Sequence, residues 1–335
     1  PGVTASSTRV STATTTAKVA RLSWKNDVLF FKAVEIRGQH VALPLQGIRV
    51  LDLTNVLAGP YCSMVLGDMG AEVIKVENTD KGDTSRNFEP QVNGESYCFA
   101  VLNRNKKSLA LDLKDPEGKK IALALASRAD IVLENFRPGV VKRMGLDYES
   151  IKALNPQVIY ASMSGFGQTG PYGKKGGLDI IAQGMSGIMS VTGQADGPPT
   201  RVGIPIADIS AGLFAALGIL TALVERSVSG KGQWVQTSLL ESQIFMLDLQ
   251  AIRYLVDGVV GKRVGNEHPS GVPTNAYRTK DGYVNVAPTP PMWPRLCKAL
   301  GREDWITHPD FATKDVRRKR DRKSTRLNSS HITIS

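Results

Sequence analysis

The sequence predicts an α/β fold, with a doubly wound, Rossmann-like parallel sheet in a large domain and a second, smaller α+β domain. Two observations support this prediction. Short apolar segments of strand length alternate with helical segments from Gln46 onward, an order typical of parallel sheets. Helix-start and helix-stop residues lie between them, as at Gly59-Pro60 and Gly70, because proline suits a first helical turn and glycine often follows a last one.

The individual elements follow in chain order. The predicted strands of the sheet cover residues 48–53, 71–77, 108–113, 129–135 and 158–164. The predicted helices begin after Gly59, at Asp115, after Pro138 and at positions 182, 206 and 239, followed by a hairpin at 277–287 and a helix near 292–300. The apolar run from Ala211 to Val224 is too short to span a bilayer, so we expect a buried helix there.

Composition divides the chain into four parts. Residues 1–45 are rich in Ser and Thr, which is typical of an organelle transit segment, with a plain disordered tail as the alternative. Residues 46–225 form the predicted large domain, and 226–315 a linker and the small domain. Residues 316–335 look non-native, because dense charge is followed by a patternless polar tail, so we expect a C-terminally truncated chain.

The net charge of +11 does not indicate a nucleic-acid binder. Seven of the 42 basic residues lie in 1–49 and seven in 316–335, so residues 50–315 hold 28 basic residues against 28 acidic ones. The three cysteines and four histidines have no spacing typical of a disulfide framework or a metal site. We therefore expect a reducing compartment and no metal, nucleic acid or membrane among the partners.

A glycine-dense run that ends in Asp179 is the best candidate for chemistry. SGFGQTGPYGKKGGLD occupies residues 164–179, and its glycines let backbone N–H groups approach a ligand where side chains would block them. A carboxylate framed by backbone donors suits acyl transfer, in which it attacks a thioester while the donors bind the oxyanion. The alternative is that Asp179 only caps the following helix, AQGMSGIMSV.

Two further patterns concern an anionic ligand. GFGQTG at 165–170 matches a dinucleotide-binding pattern, but Pro171 comes directly after it, so no helix begins there to bind a pyrophosphate. Arg137, Lys142 and Arg143 follow the carboxyl end of a predicted strand, the edge at which doubly wound sheets bind ligands. Arginine suits phosphate groups, although a solvated helix face is the alternative for this basic cluster.

Five blocks of sequence together resemble the class III CoA-transferases, the group that includes formyl-CoA, carnitine and succinate–hydroxymethylglutarate CoA-transferases. The blocks are GIRVLDLTNVLAGPYCSMVLGDMGAEVIKVE, NRNKKSLALDLKDPEGK, ADIVLENFRPGVVKRMG, SGFGQTGPYGKKGGLD and VERSVSGKGQWVQTSLLES. The resemblance runs from about residue 46 to about residue 315. It implies that 46–225 is a CoA-binding domain, that the protomer is ring-shaped and that the full-length form is an interlocked homodimer.

The resemblance also implies the residues of the site. Asp179 stands where it places the catalytic aspartate of the family. The residues that it implies as CoA contacts are Leu57, Ala58, Leu111, Asp112, Leu113, Lys114, Asn135, Phe136, Arg137, Arg143, Ser164, Gly165, Phe166 and Gly167. The segment that stands where the formyl-CoA enzyme has a mobile glycine run near its substrate is His268, Pro269, Ser270 and Gly271.

Departures from the family pattern leave the substrates open. Leu57 and Asn78 replace a glutamine and an arginine of the formyl-CoA enzyme, so succinyl-CoA as donor and a carboxylic acid as acceptor are expected from overall similarity alone. Racemases of the same fold carry a histidine before the aspartate, where this chain has Leu178, which cannot exchange a proton. CoA transfer is therefore favoured, with a 2-methylacyl-CoA racemase and a non-catalytic CoA-binding protein as alternatives.

The same resemblance sets the expectations for cofactors and location. CoA and acyl-CoA are expected as substrates, and no permanently bound cofactor is expected. Together with the Ser- and Thr-rich first segment, it indicates a mitochondrial protein, with a cytoplasmic one as the alternative.

Overall fold

The computed structural model describes residues 35–36, 39–40, 43–268, 272–313 and 315–317. These residues form two compact units. The first contains the described residues of 35–192 and 199–261, and the second contains those of 193–198 and 262–317. The predicted domain boundary at 225–226 thus lies inside the first unit, whose chain continues to residue 261. The predictions for residues 1–34 and 318–335 lie outside the described residues.

The first unit is built on a parallel sheet with helices on both faces. Its strands are β1 (Glu35–Ile36), β2 (Gln39–His40), β3 (Arg49–Asp52), β4 (Glu72–Glu77), β5 (Gln91–Val92), β6 (Glu95–Ser96), β7 (Lys106–Ala110), β8 (Ile131–Glu134), β9 (Ile159–Ser164) and β10 (Trp234–Ser238). Its helices are α1 (Ala58–Asp68), α2 (Tyr97–Leu102), α3 (Pro116–Ala126), α4 (Val140–Met144), α5 (Tyr148–Leu154), α6 (Asp179–Ser186), α7 (Ile188–Val191), α8 (Ile206–Ser229), α9 (Leu239–Met246) and α10 (Leu249–Asp257), with a 3-10 turn at Thr84–Asn87.

The six strands of the main sheet lie in the order β10-β9-β8-β3-β4-β7, and each neighbouring pair is parallel. Counted along the chain, this is the strand order of the Rossmann fold, so the predicted fold class is confirmed. The order reverses between β3 and β8, which pair directly. In such sheets the crevice outside the carboxyl ends of the two strands at the reversal is the usual place for a ligand.

The core has one layer on each face of the sheet. On one face Val50, Ile131 and Ile159 pack with α1 and with the alanine-rich side of α8. On the other face Leu51, Val132 and the fully buried residues of α3 and α5 form the second layer. Because both faces are covered, the central strands contain runs of apolar residues, and this is why they could be predicted from the sequence.

Some elements of the structure differ from the predictions. Strand β10 was not predicted, because as an edge strand it alternates exposed and partly buried residues instead of forming an apolar run. The strand predicted at 108–113 lies at 106–110, since the exposed side chain of Lys107 pairs with Glu72 on β4 and the buried side chain of Lys106 pairs with Asp52 on β3. The helix predicted over 239–256 is interrupted after Met246, where Asp248 has a φ of 45°.

Helix α8 is longer than the apolar run from Ala211 to Val224, which alone is too short to span a bilayer. It extends over 24 residues and is long and apolar enough to cross a membrane by length and composition alone, a test that core helices also pass. Ala211, Ala215 and Ile219 on one face are buried against α1 and the sheet. The opposite face leaves Leu217 and Val224 exposed, so the predicted buried helix is buried on one side.

The second unit contains the predicted hairpin and helix. Strands β11 (Asn275–Arg278) and β12 (Tyr283–Val286) pair antiparallel, and Asp281-Gly282 lie in the turn between them. Helix α11 (Trp293–Ala299) follows, flanked by 3-10 turns at Pro290–Met292 and Glu303–Ile306. Trp293 and Cys297 of α11 are buried, so this unit also contains buried apolar side chains.

We expect Ile219→Ala to lower the free energy of unfolding by about 2–5 kcal/mol, because it leaves a cavity between α8 and the sheet. Val228→Ala on the same helix, where the side chain is 88% exposed, should change it by less than about 0.5 kcal/mol. Urea unfolding followed by circular dichroism measures both. Equal losses for the two variants would show that α8 does not pack as described.

Candidate active site

The carboxylate of Asp179 lies at the start of helix α8. Its Oδ1 accepts hydrogen bonds from the backbone N–H groups of Ala207 at 2.8 Å and Asp208 at 3.4 Å, both in the first turn of α8. Its Oδ2 accepts a hydrogen bond from Nε2 of Gln183 at 2.7 Å. Both oxygens of this carboxylate therefore have donors.

Asp179 does cap a helix, but this is α8 and not the helix directly after it that the alternative expected. Asp179 is the first residue of α6, so the helix after it begins earlier than predicted, and its side chain caps α8 instead. Pro205 at the start of α8 supplies no side-chain cap, so Asp179 satisfies N–H groups that would otherwise lack acceptors. The positive end of the helix dipole also favours the negative charge of this carboxylate.

Gln183 holds the Asp179 side chain in place. It is fully buried, and its Oε1 accepts a hydrogen bond from the backbone N–H of Val202 at 2.8 Å. Its Nε2 also lies 3.4 Å from the carbonyl oxygen of Ile204. The segment 199–205 is thereby tied to α6. The Gln183 amide and the Ala207 N–H are two fixed donors, a geometry that also suits an oxyanion formed at this position.

Asp208 adds a second carboxyl beside the first. Its backbone N–H points to Asp179, and its side chain accepts no hydrogen bond from the described part of the chain. Burial and the neighbouring charge of Asp179 raise the pKa of Asp208 to about 7. Such a pair of carboxyls, one with donors and one without, is typical of a site where the two have different roles.

Sequence reasoning missed Asp208. The signal available was local, an aspartate in the first turn of the longest helix, and such residues are common helix-start residues. Its proximity to Asp179 comes from a contact between residues 29 apart in the chain, which the pattern of either segment alone does not contain.

The glycine run brings Asp179 to the carboxyl end of β9. A Cβ on Gly165 would lie 2.4 Å from the Cα of Gly177, so the two ends of the run touch along their backbones and only glycine fits. Ser164 accepts a hydrogen bond from the N–H of Gly167 at 3.0 Å. The N–H of Leu240 at the start of α9 donates to the carbonyl of Gly165 at 3.1 Å, which fixes the run against the sheet.

Two loops meet at the reversal of strand order. The residues after β3 lead through Leu57 into α1, and Asn135, Phe136 and Arg137 follow β8. The side chain of Asn135 makes two hydrogen bonds of 2.8 Å with the backbone of Asn55. The ends of the two central strands are therefore joined at the place where this fold binds ligands.

Arg137 connects the same edge to the glycine run. A Cβ on Gly176 would lie 3.1 Å from the guanidinium Nε of Arg137, so this side chain lies against the backbone close to Asp179. Arg143 on α4 approaches Gly139, at whose position a Cβ would be 3.5 Å from its guanidinium. Both guanidinium groups belong to the loop and helix that follow β8, where a phosphate-bearing ligand would meet them.

The comparisons with known proteins agree with this geometry. The sequence model described as CoA-transferase family III matches residues 45–331. A succinyl-CoA:glutarate CoA-transferase of Mus musculus is 45% identical over 276 residues, which are 82% of this chain and 63% of the mouse protein. The chain belongs to CoA-transferase family III.

Two further relatives fix the family by sequence and by structure. A succinyl-CoA–D-citramalate CoA-transferase of Chloroflexus aurantiacus is 44% identical over 84% of this chain and 70% of its own. The crystal structure of a CAIB/BAIF family protein from Brucella suis has a TM-score of 0.76 and 38% identity, covering 88% of this chain and 80% of that one. The chain spans just under two thirds of the length of the mouse enzyme.

The structure brings together some of the residues that the family resemblance implied. The loop that leads to Leu57 and Ala58 is joined to the turn of Asn135 to Arg137 by the bonds between Asn55 and Asn135, and Ser164 to Gly167 begin the glycine run after the neighbouring strand β9. Leu111 to Lys114 follow β7 at the end of the sheet order, two strands away from β3, and lead into α3. Arg143 lies on α4.

Of the implied substrate segment, the structure describes only His268. His268 belongs to the second unit, where its N–H donates to the carbonyl of Thr274 at 3.0 Å. Pro269, Ser270 and Gly271 lie outside the described residues.

We expect the carboxyl group of Asp208 to titrate near pH 7, and Asp179→Asn to lower that midpoint, because removing the charge of Asp179 removes one cause of the raised pKa. Carbon-13 NMR of the aspartate carboxyls measures it, with Asp208→Asn assigning the signal. Asp130→Asn, whose carboxylate pairs with Arg226 instead, is the control and should leave the midpoint in place. A midpoint unchanged in Asp179→Asn would contradict the coupling of the two carboxyls.

Proposed function

We propose that this protein transfers CoA from an acyl-CoA to a carboxylic acid through a thioester on a carboxyl of the Asp179 and Asp208 pair. The family supports the class of reaction, and the relatives named above are CoA-transferases. The observation that carries the proposal is the second carboxyl, Asp208, which lies beside the hydrogen-bonded carboxylate of Asp179 at the end of a glycine run.

The reaction needs anions and fixed donors. An ionised carboxylate attacks the thioester carbonyl, which gives a mixed anhydride and CoA thiolate. The thiolate attacks the aspartyl carbonyl of the anhydride, which forms the aspartyl-CoA thioester and releases the carboxylate of the donor. An acceptor carboxylate then runs the same steps in reverse order. Because every nucleophile is an anion, no strong base is required, and backbone N–H groups of the glycine run would stabilise the oxyanions.

The two carboxyls differ in their hydrogen bonds, and we assign them different roles on that basis. Asp179 is the nucleophile predicted from the sequence, and its position at the end of the glycine run supports that role. We favour Asp208, because its carboxylate accepts no hydrogen bond from the described residues, whereas that of Asp179 accepts three, which lower its reactivity without occupying every lone pair. Asp179 then acts as the residue that holds the start of α8, and with it Asp208, in position.

The substrates follow from the relatives and the charge of the site. Succinyl-CoA as donor and a small dicarboxylate as acceptor are proposed, since relatives of similar sequence are named for such pairs. Arg137 and Arg143 are the proposed contacts for the phosphates of CoA, together with the loops at Leu57-Ala58, Leu111 to Lys114 and Ser164 to Gly167. CoA is a substrate in this proposal, with no resident cofactor, and an interlocked homodimer in mitochondria is proposed on the same family basis.

We expect Asp208→Asn to lower kcat at least about a hundredfold and to abolish the covalent thioester, because it removes the nucleophile. Protein incubated with succinyl-CoA, trapped with hydroxylamine and digested shows by mass spectrometry which aspartate carries the label. Asp179→Asn should reduce kcat less and leave the label on Asp208. The exposed Asp257→Asn is the control. A label on Asp179 in the wild type would reinstate the nucleophile predicted from the sequence, and no label on either would contradict the proposed mechanism.

The pH dependence gives an independent prediction. The raised pKa of Asp208 keeps its carboxyl protonated below about pH 7, so kcat/KM should rise with pH up to that value and then level off. In Asp179→Asn the rise should move to lower pH. Initial rates between pH 5 and pH 9 test this, and a flat profile in the wild type would exclude Asp208 as the nucleophile.

A racemase is the competing activity within the same fold. Leu178 is 70% exposed and offers no proton to exchange, which favours transfer. Incubation of the wild type with a 2-methylacyl-CoA in heavy water separates the two, because racemisation exchanges the α-proton for deuterium and CoA transfer leaves it in place.

A further inference from the structure

We propose that Asn135 is a positioning residue that clamps together two loops of the acyl-CoA site, and that its side chain does not itself bind CoA. The inference deepens the proposed function and rests on it for the identity of the ligand. It concerns the loop after β3, residues 54–58, and the turn after β8, residues 134–137, which meet where the strand order reverses.

The side-chain amide of Asn135 is fully committed to one residue of the opposite loop. Its Oδ1 accepts a hydrogen bond from the N–H of Asn55 at 2.8 Å, and its Nδ2 donates to the carbonyl oxygen of Asn55 at 2.8 Å. A flipped amide would set donor against donor and acceptor against acceptor, so the orientation is fixed by the partners. This reciprocal pair joins segments 80 residues apart in the chain.

The loop is held on its other side as well. The Oδ1 of Asn55 accepts a hydrogen bond from the N–H of Thr84 at 3.0 Å, and Oδ1 of Asp83 accepts one from the N–H of Val56 at 3.2 Å. Asn55 therefore lies between two supports, the turn after β8 and the 3-10 turn that follows β4. Without the bonds to Asn135, the loop would still be anchored to the 3-10 turn after β4. We therefore expect a substitution at Asn135 to change the conformation of the loop without unfolding it.

A buried charge pair supports the base of the loop. The Nζ of Lys75, on β4, donates to the carbonyl oxygen of Thr54 at 2.8 Å and pairs with Oδ2 of Asp83 at 2.8 Å. Both charged side chains are buried. Charged groups out of contact with water are stable only with partners, and here the partners are the backbone of the loop and the residue that binds Val56.

The backbone of the loop is in a conformation that requires such support. Val56 has a φ of 71°, in the left-handed region that β-branched residues rarely adopt. Such a residue stays there only where its surroundings hold it. Leu57 and Ala58 come directly after it and begin helix α1, so the clamp sets the direction in which this proposed CoA contact faces.

The turn that carries Asn135 is fixed from below by Glu134. This carboxyl is 1% exposed, and its Oε2 accepts a hydrogen bond from the N–H of Phe136 at 2.9 Å. Asn135 therefore projects from a rigid turn, and a rigid turn can impose its position on the loop opposite.

The clamp also bears on which ligand fits. In a Rossmann fold the crevice at the reversal of strand order is open for a dinucleotide. Here the reciprocal bonds between Asn135 and Asn55 bridge that crevice. A ligand therefore has to lie outside the bridge, along the rim formed by Leu57-Ala58 and by Arg137, which suits an extended molecule such as CoA.

The test compares Asn135→Ala with a matched control, Asn155→Ala. Asn155 also uses its side-chain amide to bond two backbone groups, the carbonyl of Ala129 at 2.8 Å and the N–H of Gln157 at 3.2 Å, but it lies at the amino end of β9. We expect Asn135→Ala to raise the dissociation constant of CoA about tenfold, measured by calorimetry, with kcat within about twofold. Asn155→Ala should lower the melting temperature by about as much as Asn135→Ala does, and it should leave CoA affinity unchanged.

Amide hydrogen exchange by mass spectrometry supplies the readout that does not depend on activity. Peptides that cover residues 53–58 should exchange faster in Asn135→Ala and unchanged in Asn155→Ala, both without CoA. Weaker CoA binding with unchanged exchange would make Asn135 a direct ligand and overturn the clamp. Faster exchange with unchanged CoA affinity would also overturn the proposal, because Asn135 would then hold the loop without positioning any group that binds CoA. A wild type that binds no CoA would refute the proposed function, while the exchange would still decide whether Asn135 holds the loop.

Discussion

The free N–H groups in the first turn of α8 are the constraint on which the site depends. A helix start needs acceptors for these groups, and Pro205 supplies none. Asp179, from a different helix, provides them. To do so the chain has to return from the carboxyl end of β9 to the start of α8, and the glycine run makes this return possible because its backbones touch where side chains would collide.

One consequence of this capping is electrostatic. Because Asp179 satisfies the first turn of α8 from outside, the third residue of that turn, Asp208, lies beside a carboxylate, and its own side chain accepts no hydrogen bond from the described residues. In most helices an acidic residue of the first turn interacts favourably with the helix dipole. Here the neighbouring carboxylate opposes that benefit, so the same feature that completes the helix makes one carboxyl hold its proton up to about pH 7.

The sequence predicted those parts of the fold and site that depend on local pattern. The central strands were predicted because they are buried on both faces, and Asp179 because a glycine run precedes it. The edge strand β10 lacks the apolar run and was missed. The partner of Asn135 was not predicted either, because it lies 80 residues away. Contacts of this kind arise from the order of strands in the sheet, and no single segment of the chain contains that information.

The cost of Asp208 supports a functional reason for it. A carboxyl whose pKa is higher in the folded than in the unfolded chain lowers the free energy of unfolding as the pH rises from its usual value of 3.8 to about 7. At neutral and higher pH the fold would therefore be more stable with a neutral side chain there. A partly buried carboxyl that lies beside another one, without hydrogen-bond partners among the described residues, destabilises a helix start. Asparagine would serve as well there. Destabilising residues of this kind are concentrated at active sites. A carboxyl of this kind is what the role proposed above for Asp208, attack on a thioester carbonyl, would use once it is ionised.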